Sequence, residues 1–446
     1  MPATPVAVAL ALALAAPTPR SARLDSLAAA VDPARLEATV AGLVSFGTRH
    51  TLSETASPTR GVGAARRWLW AEVEALSRAE GSRLEPFEDR FVAEPEARIP
   101  QPVEIVNLGV LLPGVDPARA KEAIVLVGHY DSRATDVMDA RSDAPGAVDD
   151  GSGVAMVLEL ARVMARERPA ITVYFVAVAG EEQGLTGSSH LARRLRAEGT
   201  TVLGMVAADT VGNTEGMDGV HDDTAARLFS EGVPRGESEA ARRLREALGA
   251  ENDGASRELA RYLKRVGERY VESLDLWVML RQDRIARGGD HLSFAREGFP
   301  AVRLTEAHEN YDRQHQVPRI EGGRAYGDDL LHLDPRYLAR LTRAMAAAVG
   351  ALSAAPSPPR EVALGGAVSA EARLRVGLPP DRRVAGLILY RRRADAVAWQ
   401  RVEAYPRTER IVLPGVMVDN EAFAVATVDV EGNESLPRAP GSIDLP

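Results

Sequence analysis

Residues Ile171-Thr-Val-Tyr-Phe-Val-Ala-Val-Ala-Gly180 are followed directly by Glu181 and Glu182. The run is short, apolar, β-branched and aromatic, and it ends in glycine, so it reads as a buried strand. Two adjacent carboxylates at the mouth of such a strand repel each other unless a positive charge offsets them. A metal ion would do so.

The stretches around this run repeat its plan. Ala123-Ile-Val-Leu-Val127 reads as a strand. Gly153–Glu167 reads as a helix, with Val154, Val157, Leu158, Ala161 and Met164 on one face and Ser152 as its N-cap. A helix over Ser188–Arg196 and strands over Val202–Ala208 and Pro300–Leu304 continue the alternation. Such alternation predicts an α/β fold, a three-layer α/β/α sandwich around a central, mixed but mostly parallel sheet. Upstream, residues 25 to 84 carry a helical pattern, clearest over Ala64–Leu76. The polar stretch 214–271 reads as an insertion of helices and loops laid on the core. One large α/β domain is therefore expected over residues 25–353. A proline-rich linker, Ala355-Pro-Ser-Pro-Pro-Arg-Glu361, follows it. Beyond the linker, short alternating strands punctuated by turns predict a small all-β sandwich over 362–446.

Bulk composition narrows the function. At 446 residues the chain exceeds one ordinary domain, and its hydrophobic content of 45% supports a large core. A net charge of −9 argues against nucleic acid as a partner. The chain has no cysteine, so disulfides, thiolate catalysis and cysteine-ligated zinc are excluded, and any metal must use His, Asp and Glu. Val6–Ala16 is an apolar segment too short to span a bilayer. It ends in small residues with an Ala13-Leu14-Ala15 cleavage pattern, so it reads as a signal peptide over residues 1–16, which predicts secretion or periplasmic export. No other apolar stretch suggests a membrane segment.

Metal-ligand residue types sit just past the ends of the predicted strands, where open parallel α/β sheets collect ligands. In Val127-Gly-His-Tyr-Asp131, His129 can bind through one ring nitrogen, and Asp131 can hold the other. In Val148-Asp-Asp-Gly-Ser-Gly-Val154, a carboxylate can offer each of its oxygens to a different ion. Of Glu181 and Glu182, one can bind metal while the other takes a proton from water. Asp209 ends a further buried strand. A last imidazole is expected from Thr305–His315, where His308 and His315 are both candidates.

Taken together, Gly128-His-Tyr-Asp-Ser132, Asp149-Asp-Gly-Ser-Gly153, Gly180-Glu-Glu-Gln-Gly-Leu-Thr-Gly-Ser188, Asp209-Thr-Val-Gly212, Gly289-Asp-His291 and Glu309-Asn-Tyr-Asp-Arg-Gln-His315 resemble the co-catalytic zinc aminopeptidases. That superfamily also holds glutamate carboxypeptidase and glutaminyl cyclase. The likeness spans roughly residues 30 to 350. It implies a hydrolase with two zinc ions, other divalent metals being admissible, acting on peptides with a free N-terminus. It implies that Asp149 bridges both metals, that His129 and Asp209 complete one site, and that Glu182 and His315 complete the other. Glu181 is then the general acid/base and Asp131 orients His129. His291 lies in a motif near the site, and Tyr311 is a candidate oxyanion donor. The tail resembles a fibronectin type III module, with surface or carbohydrate attachment as one role for it. The alternatives are a carboxypeptidase or glutaminyl cyclase-like acyl transferase on the same fold, and a non-catalytic binding protein.

Overall fold

The computed structural model describes residues 20–444, so the expected signal peptide lies outside the described residues. Among the described residues no helix is long and apolar enough to cross a membrane. Three helices come first: α1 (Ala22–Ala29), α2 (Pro33–Val44) and α3 (Gly61–Arg78). The helical pattern upstream thus breaks over residues 45–60, which form turns and loops. Helix α2 starts at Pro33, whose missing N–H is no loss in a first turn, and the Asp32 side chain caps it by accepting from Ala34 N at 2.9 Å.

The sheet elements follow in chain order. They are β1 (Glu85–Ala93), β2 (Val103–Leu112), β3 (Glu122–His129), α4 (Ser152–Met164), β4 (Thr172–Val178), α5 (Thr186–Ala197), β5 (Thr201–Ala208), β6 (Ala225–Ser230), α6 (Glu239–Leu248), α7 (Ala255–Tyr270), β7 (Asp275–Met279), α8 (His291–Arg296) and β8 (Ala301–Glu306). A hairpin of β9 (Arg319–Glu321) and β10 (Arg324–Tyr326) precedes the long helix α9 (Pro335–Ala354). The eight strands lie in the order β1-β2-β4-β3-β5-β8-β6-β7. The central run β4-β3-β5-β8 is parallel throughout, while β1, β2 and the β6–β8 pair add antiparallel contacts.

Strand β3 shows why three layers form. Ile124 and Leu126 join the core beneath α4, α7 and α9, whereas Val125 and Val127 join a second core with Leu191 and Leu195 of α5 and Phe294 of α8. Side chains alternate across a strand, so a run apolar at every position is covered on both faces.

Two expectations need correction. The stretch 214–271 is not only a covering insertion: β6 is an inner strand of the sheet, and α7 buries Leu259, Leu263 and Val266 in the main core. Only α6 within it buries no residue. Ser152 is the first residue of α4 rather than a side-chain cap. Its Oγ donates to Val148 O at 2.7 Å and accepts from Val211 N at 3.0 Å, which joins two site loops.

The proline-rich linker is anchored: Arg119 reaches Ala355 O, and Ser357 N donates to Asp381 at 2.9 Å. The tail forms two sheets. One is β15 (Arg410–Pro414), β12 (Glu371–Gly377), β11 (Glu361–Gly365) and β17 (Ser442–Ile443); the other is β14 (Arg401–Pro406), β13 (Gly386–Arg393) and β16 (Glu421–Val428). Their facing side chains, among them Leu374, Val376, Leu389, Ile411 and Phe423, make the module's own core. The outer face of β13–β16 is buried too, through Tyr390 and Ala426. It packs on α7, where Trp399 Nε1 donates to Glu258 at 3.0 Å and Arg261 Nε donates to Val397 O at 2.7 Å.

Candidate metal centre

The register of the parallel strands gathers the site. His129, the last residue of β3, lies opposite Val178 of β4, and Val127 lies opposite Ala207 of β5. The loops leaving β4 and β5 at this edge carry Glu181–Glu182 and Asp209. The loop into α4 brings Asp149, and the loop after β8 brings His315.

Asp149 stands between the two histidines. Its Oδ1 is 3.3 Å from His129 Nε2, and its Oδ2 is 3.0 Å from His315 Nε2. His315 Nε2 is also 3.0 Å from Glu182 Oε1. Asp209 Oδ1 lies 4.0 Å from His129 Nε2. Two groups of ligand atoms result, each within 4.8 Å: His129, Glu181 and Asp209; and Asp149, Glu182 and His315. Glu181 therefore stands beside the first pair, close enough to be a ligand there.

Both groups fit a divalent cation. The donors are all nitrogen and carboxylate oxygen, the set expected for zinc in a chain without cysteine. Glu182 Oε1 and Asp209 Oδ1 are buried and accept no well-directed hydrogen bond, which leaves each with a lone pair to offer a cation. Arg303 Nη2 comes within 2.8 Å of Asp209 Oδ1, but off the hydrogen-bonding direction. Without a cation, protons fill the gap. Burial opposes a charged ring, yet Glu182 and Asp149 outweigh it and push His315 up to about 10. Burial, helped by Glu182 and Asp209, holds the Glu181 carboxyl well above its usual range.

Asp131 does more than expected, and differently. His129 Nδ1 donates to the main-chain carbonyl of Asp131 at 3.0 Å, while the Asp131 carboxylate is 3.6 Å away. That carboxylate accepts from the main-chain N–H groups of Glu181 (3.3 Å) and Glu182 (3.1 Å) and from Thr51 Oγ1 (3.0 Å). It thus pins the Glu181–Glu182 turn to the end of β3. Asp150 points away from the cluster and accepts from His129 N and Gly153 N, both at 2.9 Å.

The remaining candidates fall elsewhere. His308 pairs with Asp218 at 2.7 Å and meets Trp277 edge-on. His291 is buried against Gln282 O at 2.9 Å, and burial drives its ring down to about 4. Tyr311 is 52% exposed and lies under Arg287 rather than in the cleft.

Some site residues had little or no sequence signal. Asp328 accepts from Val148 N at 2.8 Å and Asp149 N at 2.7 Å, so it fixes the bridging loop. Arg303 is a buried arginine in the middle of strand β8, between Val302 and Leu304, and a charge flanked by aliphatic residues is the hint the sequence offers. Leu185, Thr210, Ala286 and His315 all hold left-handed φ angles of 55° to 64°. Non-glycine residues rarely adopt such angles, and they gather at functional sites.

Comparison with known proteins gives the following. The model of the family described as Peptidase family M28 matches residues 107–349. A probable zinc metalloprotease of Leptosphaeria maculans is 40% identical over 408 residues, 91% of this chain and 94% of its own length. A second, of Pyrenophora teres f. teres, is 38% identical over 423 residues, 94% of this chain and 87% of its own. Among solved structures, the Legionella pneumophila LapA aminopeptidase superposes with a TM-score of 0.54 at 19% identity, over 76% of either chain. At that identity the likeness speaks for the fold.

Proposed function

The chain belongs to peptidase family M28, and from that premise we propose that it is an aminopeptidase working through two zinc ions. The observation that carries this reading is Asp149, whose two oxygens face two different imidazoles at 3.3 and 3.0 Å. Asp149, His129 and Asp209 would hold one ion; Asp149, Glu182 and His315 would hold the other. Bound zinc would acidify water and polarise a peptide carbonyl.

The chain's own residues supply the proton transfers and the positioning. Glu181 shares the cleft and is the carboxylate left free by this ligand assignment. It takes the proton of the attacking water and returns it to the departing amine, as general base and then general acid. Asp131 positions this proton carrier through the main chain of Glu181 and Glu182. The carbonyl of Asp131 fixes the His129 tautomer so that Nε2 faces the cluster.

Cleft size supports action at a chain end. Its volume of about 280 Å³ falls just under the roughly 300 Å³ at which small-molecule pockets start. It is suited to terminal residues rather than to a continuous chain. A free α-amine is drawn to the acidic cluster. The test is a peptide set in free and N-acetylated forms, given to zinc-quantified protein. Cleavage confined to free N-termini is the expected result; equal cleavage of blocked peptides overturns aminopeptidase action.

A further inference from the structure

Arginine walls the cleft. Arg98, Arg133, Arg284, Arg287 and Arg303 line it, facing the carboxylates of Asp149, Glu181, Glu182 and Asp209. Lysine occurs only at Lys121 and Lys264, so arginine is this chain's ordinary basic residue, and abundance alone decides nothing.

Pairing decides more. Arg303 lies on Asp209 at 2.8 Å. Arg284 pairs with Asp283 and with Glu309, each at 3.0 Å, and Arg287 pairs with Glu309 at 2.6 Å. Glu309 also takes Arg227 at 2.6 Å, so three guanidiniums share one carboxylate. Arg98 and Arg133 differ from these. Among the described residues Arg98 has no carboxylate within 4.0 Å, and it donates to the main-chain carbonyl of Glu182 at 2.9 Å. Arg133 has a side chain only 17% exposed, and its one carboxylate is Glu182 at 3.9 Å. Zinc binding commits that carboxylate elsewhere. Two guanidiniums then converge on Glu182 with open donors, one of them largely out of water. Such a fork is matched by a carboxylate.

We propose that Arg98 and Arg133 form a carboxylate-binding wall, and that the substrate carries a carboxylate close to the bond that is cut. This rests on the zinc peptidase reading above. The small cleft keeps that carboxylate near the scissile bond. It comes from an acidic terminal side chain or from the C-terminus of a very short peptide. The substrate amine faces the acidic cluster, and its carboxylate faces the arginines.

Paired probes separate the two sources on zinc-loaded protein. Glu-anilide against Gln-anilide reads the side chain; Leu-Gly against Leu-Gly-amide reads the terminus. Cleavage is measured on the wild-type chain. Binding is measured by calorimetry on zinc-loaded Glu181→Gln. The acid member of at least one pair should be preferred about tenfold or more, the scale of a charge-assisted hydrogen bond. Adding Arg98→Met and Arg133→Met together should bring that ratio close to one. Arg98→Met, at an exposed residue, gives a partial loss even if the double variant misfolds. Equal binding within both pairs, or a preference that survives loss of both arginines, overturns the proposal. An acid preference in binding with no cleavage of any probe upholds the wall and sinks the peptidase reading instead.

Discussion

Replacing Asp149 with Asn puts the shared-ligand assignment at risk. Asp149 offers Oδ1 to the His129 side and Oδ2 to the His315 side. Asn keeps one oxygen and turns the other into an NH2 group, which cannot ligate. Structural zinc sites bind with roughly 10–16 kcal/mol over four ligands, or about 2.5–4 kcal/mol per ligand. At about 1.4 kcal/mol per decade, one lost ligand is about 10²–10³ in affinity. One half loses its ligand outright, and the other exchanges a carboxylate for a neutral amide oxygen, so both halves weaken. Glu182→Gln is the contrast, because Glu182 Oε1 faces His315 alone of the two imidazoles. Dialysis against zinc-buffered solutions followed by metal analysis reads both variants. At a free zinc level that keeps two ions on the wild-type chain, Asp149→Asn should hold well under one, and Glu182→Gln should hold about one. An Asp149→Asn chain that keeps two tightly bound ions refutes the shared ligand.

Glu181→Gln should keep its zinc and lose about 10²–10⁴ in kcat, the usual contribution of a positioned general base. Zinc loss in that variant would instead make Glu181 a ligand beside His129 and Asp209. In chelated protein, His315 is raised from 6.5 to about 10. The stability it contributes is complete below pH 6.5 and is lost as pH climbs towards 10. The melting temperature of the chelated form should therefore fall across that interval, and a flat profile would contradict a proton on His315. Asp328→Ala leaves the buried N–H groups of Val148 and Asp149 unpaired. At about 1–3 kcal/mol each, denaturant titration should show a loss of about 2–6 kcal/mol, and a loss under about 1 kcal/mol would mean that the loop is held by other contacts.

The sheet was legible because burial on both faces leaves an unbroken apolar run. β3, β4 and β5 each read as strands within one or two residues of their observed limits. The same logic fails where composition averages over an element. Helix α7 has only Leu259, Leu263 and Val266 as its aliphatic stripe, set among Arg, Glu and Lys, so its polar mean concealed a core helix. In the tail, alternation was legible, but docking was not. Tyr390 and Trp399 stand out by type, yet nothing in a local pattern says that the outer face of β13 meets Arg261, Arg265 and Glu258.

At the site, legibility followed the main chain. Each ligand candidate lies within three residues of a strand end or in a loop with a recognisable motif, so topology alone brings them together. What sequence could not give is the direction of a side chain. Asp131 and Asp150 carry the same group as Asp149, and all three are buried. Asp131 spends its oxygens on the N–H groups of Glu181 and Glu182, and Asp150 spends its own on His129 N and Gly153 N. Asp149 alone of the three turns both oxygens towards imidazoles. The difference is made by Asp328, which holds the N–H groups of Val148 and Asp149 from a loop 180 residues away. A carboxylate's role here is thus set by which buried N–H groups already claim it, and the one left unclaimed is the one available to metal.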